Sequence, residues 1–493
     1  MAYFLQVRRF RGQVQRQLDS LTDQEKGAAL LSRTSRLSGD TTRGDGQANS
    51  VHDSNGHSKK DDDENSNANS DDLENRDRID PTDQPYASLS DITVQRDVHG
   101  ELYYQVTWCG SHDPLQPSNW STAIRLRSTF ILIMVAFAVT ASSSIDSGVA
   151  RLAAEAYGVS ALVESLAGTG VFLIGFGLGS LVASPASELF GRYPVYLGTL
   201  SIFACWLLGA ALAPNIAAQI MFRFLAGLFG SAPLTVAGGS MSDMWSKREK
   251  TWAFPIFSLV GFGGPVLGPV MSGYIPVTNV LSFRWADWIA LIITGLVILL
   301  IVAFKRETLT PRLLSLKAEQ WRNLTGDERF KSATEASRES LRQVLTNNFT
   351  RPFILAIEPI VFLFTVYLSI VYVVLFTFLD GYEYIFAETY GLNPGLSNLC
   401  FLGLLVGILL SAILIPVVVR ITWKQLERDG DDGSGAKLDQ ESRLIFAMVG
   451  APLIPIGLFW MGWTDYVSLS LSVSLSFTFT NQLYYCPSYS STI

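Results

Sequence analysis

Residues able to do chemistry are sparse in this sequence, and their positions exclude several functions. All four histidines (His52, His57, His99, His112) fall in the polar N-terminal region, so no apolar segment offers an imidazole base or a histidine-held metal. The four cysteines, Cys109, Cys205, Cys400 and Cys486, lie far apart without Cys-x-x-Cys spacing and read as free thiols. Neither a cofactor nor a metal is expected. Arg223 is the basic residue set well inside an apolar run, about eight residues from the polar turn "APN" and so roughly 12 Å deep at 1.5 Å per residue. A charge facing lipid at such depth costs about 2.5 kcal/mol or more, so Arg223 either faces a polar cavity or an acidic partner, or snorkels to the outer interface. Carboxylates near apolar runs are candidate proton carriers, because proton transfer needs a group that is alternately protonated and ion-paired. Asp146, Glu164, Asp243 and Glu358 hold such positions. Asp146 and Glu164 flank a loop and read as solvated boundary residues, and Asp243 as capping or anchoring an inner helix end. Glu358, directly before Pro359, is the preferred functional carboxylate, because the proline frees a nearby backbone carbonyl.

The elements that must position these groups are membrane helices. The chain has 493 residues, 48% of them hydrophobic and 16% charged, well under the quarter usual in soluble domains. Its net charge of −7 belongs to the tail, since residues 1–120 carry 13 basic against 20 acidic side chains and the remainder 24 against 24. The N-terminal "MAYFLQVRRFRGQVQRQLDS" lacks the apolar core of a cleaved signal peptide. Residues 1–110, with "DSNGHSKKDDDENSNANSDDLENRD", are too polar to offset the entropy of ordering and are expected to be a disordered cytosolic tail, either a solubilising extension or a phosphorylated regulatory one. Apolar runs of membrane-crossing length follow at 127–146, 162–184, 194–213, 217–239, 252–275, 287–304, 352–379, 396–419 and 444–463. Six of these nine runs (within 111–304) precede a polar linker (305–351), and three (within 352–465) follow it. With the N-terminus cytosolic, the inner connections hold 19 Lys/Arg and the outer ones only Arg151 and Arg284, which places the tail and the linker in the cytosol.

Glycines spaced four apart let membrane helices approach closely. The pairs Gly175/Gly179, Gly264/Gly268 and Gly403/Gly407 fall on the second, fifth and eighth runs, the order that three-helix repeats of secondary transporters would produce.

The motifs in between resemble those of the major facilitator superfamily, and in particular its fungal twelve-helix drug:proton antiporters. "DPLQPSNWS" (113–121) is similar to the family's entry signature. "ASELFGRYPVY" (186–196) is similar to its cytosolic gating signature, here Glu188, Gly191 and Arg192 with Tyr193 in place of the commoner second arginine. "RFLAGLFGSAPLTVAGGSMSDMW" (223–245) resembles the fourth-helix signature, and "GGPVLGP", with Gly264, Pro265, Gly268 and Pro269, the antiporter signature. "WADW", "KRETLTPRLLSLKA" and "RPFILAIEPI" follow in the family's order. The resemblance implies an all-α integral membrane protein with a major facilitator fold, two helical bundles related by pseudo-twofold repeats. It also implies that the Glu188/Arg192 signature latches the bundles together, that Arg223 takes part in proton coupling, and that the fifth helix works against the second half. The expected partners are a small-molecule substrate of drug-, toxin- or polyamine-like type, protons and membrane lipid, with no nucleic acid, a monomeric state and a plasma-membrane location. The expected activity is export by proton antiport, not catalysis, with uptake the other direction the superfamily allows. Aromatic residues of the seventh run either line an adaptable pocket or face lipid.

Residues 466–493 depart from this pattern. From 467 to 480 apolar and hydroxyl side chains alternate, a period that suits a strand and not a membrane helix. Nine helices would leave the second bundle incomplete, so a truncated, transport-inactive product with a misread end is the alternative expectation.

Overall fold

A computed structural model describes residues 1–38, 89–96, 102–110, 112–278, 281–336, 353–383 and 391–429, with the single positions 86, 350, 386, 456, 459 and 463. Its labelled helices are α1 (Ala2–Ser38), α2 (Thr122–Ser144), α3 (Val171–Phe190), α4 (Arg192–Ala211), α5 (Ile216–Met244), α6 (Lys247–Ser272), α7 (Trp285–Phe304), α8 (Thr310–Thr325), α9 (Pro359–Glu383) and α10 (Phe401–Asp429). The strands are β1 (Ile92–Arg96), β2 (Leu102–Val106) and β3 (Phe330–Lys331). The chain divides into two compact units.

The larger unit comprises residues 1–6, 112–313 and 338–493. Among the described residues, six helical stretches in it are long and apolar enough to cross a membrane, and they match the first six runs of the sequence. The first differs in length, because the chain continues from α2 through a 3-10 turn (Ile145–Val149) into the short helix Ala150–Tyr157, making one stretch of 36 residues. The seventh and eighth runs form α9 and α10, while almost all of 444–463 and all of the Ser-rich 466–493 lie outside the described residues. Outward-facing Phe130, Ile174, Leu178, Leu296 and Leu299 are exposed, as lipid-facing positions are, and Leu132, Val139, Phe172, Tyr196 and Phe203 fill the core.

The glycine pairs set which helices pack. A β-carbon on Gly175 or Gly179 would collide with the α5 backbone at Phe224 and Leu228, and one on Gly227 of α5 with the carbonyl of Phe172. Helices α3 and α5 therefore meet backbone to backbone. Gly264 and Gly268 of α6 face Thr140, Ala141 and Ser144 of α2, where a β-carbon would come within 2.9 Å of Ala141 N and 2.8 Å of Ala141 O. The glycine face of the fifth helix thus belongs to the first bundle, and the same helix also meets the second half of the chain. That half meets a different face of α6, where Phe262 and Val266 pack with Phe401, Leu404 and Ile408 of α10. Gly407 is buried on α10, and Gly403 is half-buried.

The smaller unit comprises residues 7–111 and 314–337. β1 and β2 form an antiparallel hairpin, and β3 joins β2 in parallel. Val14, Ile92, Tyr104, Val106, Ala318, Trp321 and Phe330 form its core, beside a buried ion pair between Lys317 and Asp91 at 2.9 Å. The expectation of a disordered tail over 1–110 is thus corrected at both ends: Arg, Gln and Leu favour the helix at 2–38, and apolar residues of the hairpin find partners in the linker. The polar stretch 39–85 that prompted it lies outside the described residues, and the linker 305–351 contributes α8 and β3.

Candidate functional site

At one end of the bundle, three helical stretches bring charges together. Arg223 on α5 is fully buried and ion-paired to both Asp146, on the turn after α2, and Asp287, in the first turn of α7. Its Nη1 also donates to the carbonyl oxygen of Ser142 at 2.9 Å. Gln219, one turn before Arg223, is buried, as is Glu164. The arginine thus faces acidic partners and does not snorkel. Asp146 and Glu164, expected as solvated boundary residues, are both interior, because the 36-residue stretch carries Asp146 past the point where the apolar run ends. Asp287 was missed by sequence reasoning. Its signal was an acid lodged in "WADW" at the start of an apolar run, an intramembrane position of the same kind as that of Arg223.

The glycines and prolines of α6 hold the Asp146 turn in place. Pro269 has no N–H to offer the carbonyl of Pro265 four residues back, and that freed acceptor takes the hydroxyl of Ser144 at 2.9 Å. In return Ser272 donates to the carbonyl oxygen of Ile145 at 2.5 Å. Proline and glycine here provide a docking surface for the end of α2, one residue from Asp146. Gly168 leaves room for the carboxylate, as a β-carbon there would sit 2.9 Å from Asp146 Oδ2.

A second cluster lies at the opposite end of α5. Gly191 has a φ of 96°, a left-handed conformation that favours glycine, and a β-carbon there would come within 2.8 Å of Glu307 Oε2. Arg192 follows as the first residue of α4. The buried carboxylate of Glu307 accepts the backbone N–H groups of Arg192 and Tyr193, both at 3.0 Å, together with those of Thr308 and Leu309, and so caps the helix N-terminus. The Arg192 side chain does not turn to Glu188, which is exposed, but reaches Ser187 Oγ at 2.8 Å and Asp243 Oδ2 at 3.4 Å. Of the two roles expected of Asp243, capping or anchoring its helix end, the ion pair to Arg192 fits the second. Gly239 makes space for the guanidinium, since a β-carbon there would lie 2.6 Å from Arg192 Cζ. The partners found for Arg192 all belong to the first bundle. Between the halves, the Arg248 guanidinium stacks on Trp423 at 5.1 Å, and the Trp423 indole donates to the Arg248 carbonyl oxygen at 3.4 Å. In the same cluster, Lys305 is buried over the Tyr196 ring at 5.0 Å, and its amine has no hydrogen-bond partner among the described residues. Burial pushes the pKa of this amine down to about 7.

Between the two clusters lies a cavity of about 640 Å³, lined by α2, α3, α5, α6 and α9. Phe176, Phe262 and Tyr372 supply rings and Thr140, Ser143 and Thr365 hydroxyls, and none of its described lining residues is charged. The aromatic seventh run thus contributes to a pocket at Tyr372 and Phe376. Glu358 does not: it stands exposed where the helix breaks ahead of Pro359, apart from the charge cluster, so the structure does not support its selection as the functional carboxylate.

A helical bundle with apolar outward faces, a buried charge cluster and an uncharged internal cavity defines a polytopic membrane carrier. The profile of the Major Facilitator Superfamily matches residues 130–493, and the chain belongs to that superfamily. The match includes the alternating stretch near the C-terminus. The chain is 44% identical over 390 residues to the MFS-type transporter kojT of Aspergillus flavus, covering 78% of this chain and 69% of the relative. It is 33% identical over 404 residues to the citrinin biosynthesis cluster MFS transporter mrr1 of Monascus ruber, covering 80% and 79%. Among solved structures, the proton:xylose symporter XylE bound to 6-bromo-6-deoxy-D-glucose aligns with a TM-score of 0.54 at 13% identity, over 76% of this chain and 82% of that one. A partially occluded inward-open XylE from E. coli aligns at 0.53 and 14%, over 75% and 83%. At such identity the likeness concerns the fold. The protein is a multi-pass membrane transporter and not an enzyme.

Proposed function

We propose that this transporter exports small, uncharged organic molecules in exchange for protons, as a monomer in the plasma membrane with its N-terminus in the cytosol. The observation that carries the reading is one guanidinium held between two buried carboxylates. With Asp146 and Asp287 ionised and Arg223 protonated the group bears a net charge of −1, and a single proton neutralises it, as an exchange cycle in low dielectric requires. Asp146 Oδ2 and Arg223 Nε have no hydrogen-bond partner among the described residues, which leaves an acceptor for that proton. Asp146 and Asp287 replace Glu358 as the proposed proton carriers. Arg192, with Gly191, serves as the cytosolic gate, through Asp243 and not through Glu188.

The substrate occupies the cavity beside α9. Its rings and hydroxyls suit flat, neutral, hydroxylated compounds, and among its described lining residues there is no carboxylate to balance a polyamine. The relative named for a citrinin biosynthesis cluster supports a small organic product of biosynthesis as the substrate. The test is efflux of neutral phenolic compounds from cells carrying the full chain, with and without a protonophore, alongside Arg223→Ala. Efflux of the parent that falls with the protonophore supports proton antiport, and efflux indifferent to both the protonophore and the substitution refutes it.

A further inference from the structure

Tyr193 stands where the gating signature commonly has a second arginine, and the structure gives it a partner from the far end of the sequence. The ring of Tyr3 lies flat against that of Tyr193, with centroids 4.7 Å apart and planes at 4°. One turn along α1, the buried side chain of Gln6 reads both backbone groups of Glu307: its Nε2 donates to the carbonyl oxygen at 3.1 Å, and its Oε1 accepts from the N–H at 3.0 Å. An amide is the side chain suited to this, having a donor and an acceptor on one planar head. Glu307 in turn holds the N–H groups of Arg192 and Tyr193. Both contacts therefore end on the two residues that begin α4, one through an aromatic face and one through a carboxylate.

We propose that the first turn of α1 is a clasp on the cytosolic gate, in which Gln6 and Tyr3 are positioning residues that act through Glu307 and Tyr193 to hold Arg192 toward Asp243. Neither touches the substrate cavity or the outer charge cluster. The clasp gives the N-terminal segment a role in setting how readily the gate opens, and it explains why an aromatic residue serves at Tyr193: the position is stacked, not ion-paired. The proposal rests on the gating role of Arg192, but its test needs no substrate.

Hydrogen exchange of the purified full chain in lipid nanodiscs reads the clasp directly. In Gln6→Ala and in Tyr3→Ala, the peptide covering Gly191 to Tyr196 should exchange about fivefold to tenfold faster, the factor expected from losing a net hydrogen bond. Tyr3→Phe, which keeps the ring, should exchange as the parent does. The peptide covering Ile145 to Val149, at the outer end, should be unchanged in all three. Unchanged exchange at Gly191 to Tyr196 in both alanine variants would overturn the proposal. So would equal acceleration at both ends, which would make α1 a general support of the fold. Failure of proton-coupled efflux with the clasp result intact would count against the antiport reading alone.

Discussion

Arg223 and Arg192 lie at opposite ends of one helix bundle, since Arg223 and the Arg192 partner Asp243 are separated along α5 by about 30 Å of helix. Arg223 is fully buried, with two carboxylates against its guanidinium. Arg192 is partly exposed, pairs with one carboxylate at 3.4 Å, and leaves the stronger work of its neighbourhood to Glu307 and the backbone. A buried cluster with one acid too many cannot relax by hydration and must exchange a proton or keep its ions. A thin pair at the rim can open and close at little cost. The same residue type thus sits in a buried, acid-rich cluster in one place and in a thin rim pair in the other, according to burial and stoichiometry.

The sharpest way to break this contrast is Arg223→Ala. It leaves two buried carboxylates without a counter-charge and should destabilise the protein by about 3–5 kcal/mol, seen as a large fall in thermal midpoint in detergent. A midpoint near the parent's would mean that the cluster is hydrated. Gly264→Val comes next: the added side chain collides with Ala141 and Thr140 on α2, and the strain of overpacking, about 1–3 kcal/mol, should reduce the yield of folded protein on size exclusion. Because that contact supports the Asp146 turn, surviving protein should transport poorly.

Lys305→Met should act in the opposite direction, stabilising by about 1 kcal/mol through removal of an unpartnered buried amine. The pH dependence follows from its pKa of about 7 in the fold against about 10.4 for a free lysine. Between these values the unfolded chain binds a proton that the folded one does not, so the parent gains stability as pH rises from 7 to 10, while the variant lacks that gain. The advantage of the variant should therefore shrink across this window in thermal melts, and a constant gap would contradict the burial argument. The smallest effect belongs to Asp243→Asn, about 0.2–1 kcal/mol for a partly exposed pair, best detected as faster hydrogen exchange at the start of α4.

Much of the architecture was legible because lipid imposes a length and a composition on each crossing helix, so the first six runs and the close approaches at Gly175/Gly179 and Gly264/Gly268 could be read directly. Arg223 was legible for the same reason, as a charge where charge is costly. Its partners were not, because Asp146 and Asp287 lie 77 and 64 residues away and no local pattern encodes that convergence. Asp146 was also hidden by a boundary: apolar character fades where the helix continues through a 3-10 turn, and a fading run looks like a loop. Glu307 sits 115 residues from the Arg192 N–H it caps, and the first turn of α1 was masked by the strongly polar stretch behind it. What a sequence shows least well is a contact whose two sides are each unremarkable alone.

The central claim is that the outer cluster exchanges a proton for each substrate moved. In proteoliposomes containing the full chain and a trapped pH-sensitive dye, adding a neutral phenolic substrate that cells export should drive a proton flux opposite to substrate movement. Asp146→Asn, which removes the titratable partner while keeping its shape, should abolish that flux. Proton movement undiminished in Asp146→Asn and in Asp287→Asn would contradict the account.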